Sequence, residues 1–100
     1  LFTFNFRKVK KMTKNMFTVF DNVSKLYSPP FLEVNNGSAM RGLQDIMQRD
    51  PNNPWTKFPD NYTLINIGLY DDENGVCEPA NHQTVAELIS IKLPSDMEKE

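Results

Sequence analysis

Apolar side chains follow a strand-like pattern in two stretches of the chain. Residues 16–21 (MFTVFD) place apolar side chains on both faces, so this stretch is predicted to be a strand with both faces at least partly covered. Residues 62–71 (YTLINIGLYD) alternate in the same way and form the longest predicted strand. Two shorter extended pieces are residues 31–34 (FLEV) and residues 76–79, which follow an Asn-Gly turn.

A helical spacing governs residues 39–49 (AMRGLQDIMQR). The apolar side chains that form one stripe along this helix are Ala39, Met40, Leu43, Ile46 and Met47. Ser38 is the predicted N-cap, and Asp50 followed by Pro51 ends the helix. Gly42 costs about 1 kcal/mol relative to alanine in a helix, and close packing against a neighbour is the ordinary reason for such a glycine.

A hairpin follows the longest strand. Asn74 and Gly75 are typical of the two positive-φ positions of a type I′ turn. With a two-residue loop, Asp71 faces Glu78 across the ladder, and like charges directly opposed destabilise a sheet. The acidic cluster is therefore a candidate site for a divalent cation or a basic partner surface, with a simply solvated loop as the favoured interpretation. Its residues are Asp71, Asp72, Glu73 and Glu78.

These elements predict an α+β fold: a small antiparallel sheet of three to four strands with one amphipathic helix packed on it. Residues 82–93 fit both a helical and an alternating pattern, and we interpret them as a short helical turn running into a strand. The sheet is predicted from residues 16–21, 62–71 and 76–79, with residues 31–34 or 89–93 as the alternatives for an edge strand.

One hundred residues suffice for one domain with a single modest core, which we place at residues 16–93, with a polar tail at 94–100. Cys77 is the only cysteine, so neither an internal disulfide nor a thiolate metal cage is possible, and a half-buried strand position is expected for it. His82 is the only histidine and is predicted to be a loop residue, since no nucleophile or acidic partner near it suggests a triad. We expect no enzyme activity, no cofactor and no metal.

The charge is divided unevenly along the chain. Residues 1–15 hold five basic residues and no acidic one, whereas residues 16–100 hold six basic and thirteen acidic residues. Phe2, Phe4 and Phe6 precede the charges of the first segment, which is the reverse of a secretory signal. No apolar run approaches the roughly 18 residues that suggest a membrane span. We therefore expect a cytoplasmic protein with no membrane partner, and an acidic body that is a poor generic ligand for DNA phosphates.

Two groups of residues are candidates for contact with DNA or a protein partner. The basic segment combines aromatic rings with charges that neutralise phosphates, and the loop at 50–61 carries aromatic residues with one lysine. The favoured interpretation of the loop is aromatic packing over the helix, with base stacking or a protein anchor as the alternatives. The candidate residues are Arg7, Lys8, Lys10, Lys11, Lys14, Trp55, Lys57 and Phe58.

Several motifs in fixed order resemble one known family. They are Met16 to Phe20, then Pro29-Pro30-Phe31, then Ala39 to Leu43, then Pro59 to Leu64, then Gly68 to Asp72 with a closing Gly75. Together they resemble the small nonstructural protein of gokushoviruses, which are microviruses with circular single-stranded DNA. The resemblance covers roughly residues 16–78. The chain departs from the family at Asp60-Asn61, where an acidic pair is more usual, and residues 80–100 have no clear counterpart.

The resemblance implies a nonstructural phage protein that assists single-stranded genome synthesis and packaging in the host bacterial cytoplasm. Family members tend to begin at the residue matching Met16, so residues 1–15 are predicted to be a mis-called leader, or otherwise a flexible basic arm. The acidic body favours a protein-binding adaptor, with phage replication or procapsid proteins as partners. The alternative is a direct single-stranded-DNA-binding protein that uses the basic arm and the aromatic loop. A third possibility is a minor structural component of the particle.

Overall fold

The fold is built on two long paired strands, β1 (Thr13–Asp21) and β4 (Tyr62–Asp71). A computed structural model describes residues 13–91. The other strands are β2 (Leu26–Tyr27), β3 (Phe31–Glu33) and β5 (Val76–Glu87). The helices are α1 (Asn36–Arg49) and α2 (Pro54–Lys57), together with two 3-10 helices at Pro59–Asn61 and Leu88–Ile91.

All strand pairs are antiparallel, and the order across the sheet is β2-β1-β4-β5, with β3 also pairing with β1. The predicted α+β class is confirmed. The sheet has five strands because both β2 and β3 pair with the same side of β1. Strand β4 has the predicted bounds, whereas β1 begins at Thr13, ahead of the predicted start at Met16.

One face of the sheet carries the hydrophobic core. Directly opposed residues of an antiparallel pair lie on the same face, so the pairing of Val19 with Leu64 places both under α1. The fully buried Phe17 lies on that face too, and its ring stacks on Phe31 of β3 at a centroid distance of 5.9 Å. The buried core consists of Phe17, Val19, Ala39, Leu43, Met47, Leu64, Leu88 and Ile91.

Helix α1 starts earlier than the apolar pattern indicates. The N-cap is Asn35 rather than the predicted Ser38: its side-chain Oδ1 accepts a hydrogen bond from the Ser38 backbone N–H at 2.8 Å. The apolar stripe begins only at Ala39 because the first turn of the helix is not buried in the core. The helix ends at Asp50 as predicted, and none of the helices within residues 13–91 is long and apolar enough to cross a membrane.

The β4–β5 hairpin differs from the predicted two-residue turn. Asp71 pairs with Val76 rather than facing Glu78, so four residues form the loop. The Asp71 carboxylate closes this loop by accepting hydrogen bonds from the Glu73 N–H at 3.0 Å and from the Asn74 side-chain amide at 2.8 Å. This side-chain closure replaces the type I′ geometry, and the predicted clash of like charges does not form.

Strand β5 and the segment after it reverse the predicted order. The strand continues to Glu87 and a 3-10 helix follows it, whereas the sequence predicts a helical turn before a strand. Because β5 is a largely exposed edge strand, its residues lack the alternating apolar pattern that marks a buried strand. Residues 89–91 are therefore part of a 3-10 helix rather than an edge strand, while residues 92 and 93 lie outside the described residues. Cys77 is exposed rather than half-buried.

Gly42 is not required for close packing. A Cβ atom at this position would have the Glu33 carboxylate Oε2 as its nearest neighbour, at 3.9 Å, which is an ordinary van der Waals distance. We expect Gly42→Ala to raise the free energy of unfolding by about 1 kcal/mol, since alanine is the better helix former and fits without strain. Urea denaturation followed by circular dichroism measures the change.

Gly75→Ala is the matched control for this substitution. Nothing lies within 4 Å of a Cβ at Gly75, but its φ of 68° is a left-handed conformation that costs alanine about 1 kcal/mol. The same substitution should therefore stabilise at position 42 and destabilise at position 75. A loss of stability in Gly42→Ala would contradict the open environment described for α1.

Gly68 is, in contrast, constrained by its neighbours. A Cβ at Gly68 would collide with the Glu78 backbone carbonyl oxygen, and it would lie 3.2 Å from Pro79 Cα. We expect Gly68→Ala to lower the free energy of unfolding by about 1–3 kcal/mol, because β4 and β5 must separate at this point. A urea midpoint equal to that of the unsubstituted protein would show that the two strands do not approach closely.

Candidate functional site

The predicted aromatic loop is largely part of the scaffold. Asn53 caps α2 by accepting a hydrogen bond from the Trp55 backbone N–H at 2.8 Å, and Pro54 occupies the first helical position. The Thr56 hydroxyl donates to the Asp50 backbone carbonyl at 2.9 Å, which ties α2 to the end of α1. Trp55 is partly buried and packs against the hydrophobic core. The main role of the Trp55 ring is therefore to stabilise the fold by packing.

An apolar groove lies between α1, β3 and α2. It has a volume of about 240 Å³ and is lined by Phe31, Glu33, Gly42, Leu43, Ile46 and Trp55. Ile46 remains 41% exposed although the sequence places it in the helix stripe. Phe58 is 53% exposed at the end of α2, and Lys57 is exposed beside it. Of the predicted loop residues, Phe58 and Lys57 are thus the ones available to a partner.

The predicted basic segment is only partly within the described residues. Arg7, Lys8, Lys10 and Lys11 lie outside residues 13–91. Lys14 belongs to β1, and its Nζ lies 3.8 Å from Asp72 Oδ2. This lysine therefore neutralises part of the acidic hairpin.

The acidic hairpin residues do not converge on one point. Asp71 is 4% exposed and its carboxylate closes the loop, whereas Asp72, Glu73 and Glu78 are exposed. Glu78 pairs with Leu69 across the ladder. Within residues 13–91, no group of three or more His, Cys, Asp or Glu side chains is arranged to hold a metal ion. Among the residues described, the hairpin is an acidic surface rather than a metal cage.

His82 lies on β5 rather than in a loop, and its ring belongs to an aromatic cluster. The His82 ring meets the Tyr27 ring edge-on at a centroid distance of 5.7 Å, and Tyr27 contacts Phe20 at 4.6 Å. Phe20 pairs with Thr63 and alternates with the core residue Val19, so this cluster is on the face of the sheet opposite α1. The sequence pattern did not predict this cluster, because its rings are far apart along the chain and meet only through strand pairing.

The turn between β1 and β2 presents apolar side chains that the sequence analysis did not single out. Val23 and Leu26 are 71% and 67% exposed. The Asp21 carboxylate fixes the turn by accepting hydrogen bonds from the backbone N–H groups of Val23 and Ser24, at 2.9 and 3.3 Å. The Val23 hydrogen bond lowers the pKa of Asp21 below its ordinary value, so the turn keeps a charged acceptor to a lower pH than a free aspartate would allow.

A second groove, of about 420 Å³, lies where β1, β4 and β5 meet near the hairpin. Four side-chain carboxamides line it: Asn15, Asn66, Asn81 and Gln83. The Asn66 amide donates to Asn15 Oδ1 at 3.2 Å, and the Asn15 amide donates to the Val34 carbonyl at 2.8 Å. Sequence reasoning missed this carboxamide groove because its residues are spread over three strands. The isolated Asn66 within an apolar strand was the one available signal.

Comparison with known proteins supports a phage origin. The phage ORF5 protein family matches residues 14–91, which is well over half of the chain. The match begins next to the first residue of β1 and extends past residues 16–78, the segment that carries the motif resemblance. Among curated proteins and among solved structures, nothing matches the chain. On the strength of this match across the whole sheet and both helices, the chain belongs to the phage ORF5 protein family.

Proposed function

We propose that this phage protein is a nonstructural protein of the gokushovirus type, which assists single-stranded genome synthesis and packaging in the host cytoplasm as a protein-binding adaptor. Membership of the phage ORF5 protein family and the ordered motifs from Met16 to Gly75 support this setting. Its partners are the phage replication or procapsid proteins. The role is binding rather than catalysis.

The charge of the described domain carries the adaptor mechanism. Residues 13–91 hold five basic and ten acidic residues, and one of the five, Lys14, lies beside Asp72. A surface with this balance repels a phosphate backbone and attracts basic protein surfaces. Proteins that bind single-stranded DNA are expected to be basic themselves, so an acidic adaptor can approach them by charge complementarity.

The apolar groove beside α2 is the surface we assign to the main partner. Ile46 supplies exposed apolar area in the lining beside the partly buried Trp55, Glu33 provides a carboxylate there, and Phe58 is exposed at the end of α2. Aromatic and aliphatic anchors surrounded by polar groups are the usual centre of a protein interface. The partner surface that fits is an apolar side chain flanked by lysine or arginine.

Direct DNA binding is the competing function, and the packing of the aromatic loop weighs against it. Trp55 packs against the core, which leaves Phe58 as the exposed ring and Lys57 as the cation beside it. A stacking platform for single-stranded DNA needs several rings along a positively charged path. The charges of Arg7, Lys8, Lys10 and Lys11 would have to supply most of that attraction.

The full chain should not bind a fluorescent oligothymidylate at about 150 mM salt, because the acidic domain outweighs the few available cations. Fluorescence anisotropy across a salt series measures this, with a variant in which Arg7, Lys8, Lys10 and Lys11 are changed to glutamine as the control. Tight binding of the oligothymidylate by the full chain, with an affinity that falls steeply with salt and is lost in this variant, would contradict the adaptor proposal and support direct DNA binding.

The double variant Ile46→Ser with Phe58→Ser should weaken capture of the phage replication initiator or procapsid at least about tenfold, since both apolar anchors are lost. Surface plasmon resonance on the immobilised phage proteins measures the loss. Val76→Ser is the matched control, because Val76 is 47% exposed but lies on β5. If the unsubstituted chain binds neither phage assembly, the adaptor proposal is wrong.

A further inference from the structure

The carboxamide groove is a second surface, separate from the apolar groove that we assign to the main partner. We propose that it binds the main chain of an extended, lysine- or arginine-bearing segment of a protein partner. This inference rests on the proposed adaptor function and adds the kind of segment that the adaptor recognises.

The strand registers bring the four carboxamides to one place. Asn15 pairs with Leu69, and Asn66 pairs with both Phe17 on β1 and Gln83 on β5. These pairs lie on the same face as the core, yet the groove lining includes no residue of α1. The helix covers one end of this face and leaves the end near the hairpin open.

An irregularity in β5 forms the wall of the groove. Asn66 pairs with Gln83 and Gly68 with Pro79, so the single residue Ile67 opposes the three residues 80–82. Bulges of this kind re-aim side chains and are common beside functional sites. Here the extra residues bring Ala80 and Asn81 into the lining, next to the glycine at position 68.

The hydrogen bonds within the groove hold the carboxamides of Asn15 and Asn66 in place. All four carboxamides retain donors or acceptors that can bind a ligand. Asn66 Oδ1 accepts the Gly68 backbone N–H at 3.0 Å, and its amide donates to Asn15 Oδ1. Each primary amide has two N–H donors and an oxygen with two lone pairs, so both residues retain unused groups. The side chains of Asn81 and Gln83 are exposed and make no hydrogen bond to other residues in the 13–91 range.

A row of carboxamides matches the peptide main chain. Each peptide unit carries one donor and one acceptor, and a carboxamide offers the complementary pair. Asn15 on β1 and Gln83 on β5 are two strand spacings apart across the sheet, and Gln83 is in line with Phe17, two residues along β1 from Asn15. The separation is therefore about 12 Å, which an extended segment of about four residues spans at roughly 3.3 Å per residue. A peptide that crosses the strands therefore meets the carboxamides in succession.

The surrounding charge selects a basic peptide over a nucleic acid. Among residues 13–91, the groove lining contains no lysine or arginine, and Glu78 pairs with the lining residue Leu69. A carboxamide can also pair with the edge of adenine, but the attached phosphates would need cations, and the described lining residues supply none. Lysine or arginine side chains on the bound segment would instead meet Glu78 and the hairpin carboxylates.

Titration of the full chain, labelled with ¹⁵N, tests the proposal by NMR. The probe is a capped peptide of alternating lysine and alanine, and it should shift the side-chain amide signals of the four groove residues while those of Gln48 and Asn52 stay in place. The same peptide with N-methylated alanines should bind at least about tenfold more weakly, because it keeps the charges but loses half of its main-chain donors. An oligodeoxyadenylate of equal length should cause no shift.

The variant Asn81→Ala with Gln83→Ala should weaken peptide binding at least about tenfold through the loss of two carboxamides. The matched control is Gln48→Ala with Asn52→Ala, which removes two exposed carboxamides elsewhere and leaves the net charge unchanged. Equal binding of the N-methylated peptide, an absence of shifts with the lysine–alanine peptide, or shifts caused by the oligodeoxyadenylate would each overturn the proposal. If the groove variant loses no affinity for the phage assemblies while the Ile46 and Phe58 variant does, the adaptor function stands and the groove assignment fails.

Discussion

The antiparallel pairing of β1 with β4 is the constraint on which the rest of the structure depends. Strands β2 and β3 attach to one side of this pair and β5 attaches to the other. The register sets which side chains share a face with α1. Val19 opposes Leu64 within the core, whereas the core residue Phe17 opposes Asn66, which lines the carboxamide groove. A slip by one residue would turn every side chain of a strand to the other face. The register of β1 and β4 therefore determines both the core and the carboxamide groove.

The face beneath α1 contains two environments a short distance apart. Leu64 is fully buried, and Asn66, two residues along the same strand, is half-exposed in the groove. The apolar surface extends as far as α1 covers the sheet, and the hydrogen-bonded carboxamides of Asn15 and Asn66 lie beyond it. Because both regions are built on the same paired strands, the packed core also holds these polar side chains in position. Such a support keeps hydrogen-bonding groups in place before a ligand arrives.

The local patterns in the sequence predicted the central elements well and the edge elements poorly. Strand β4 and the end of α1 followed from alternation and from Asp50-Pro51, since burial and proline act locally. The helix start was missed because Asn35 caps a turn that carries no core residue. Strand β5 was misjudged because an exposed edge strand needs no apolar period, and the hairpin because the Asp71 side chain determines its loop. The carboxamide groove depends on pairing between distant strands, which no local pattern encodes.

The irregular course of β5 has a consequence for how the protein behaves at high concentration. An exposed edge strand of this length can pair with the edge of another molecule and begin aggregation. Pro79 lacks a backbone N–H, residues 80–82 interrupt the regular ladder because three residues oppose one, and Glu78 and Glu87 add negative charge along the strand. These are the features by which natural sheets avoid edge-to-edge growth. The departure from ideal strand geometry that forms the groove wall thus also keeps neighbouring molecules from extending the sheet.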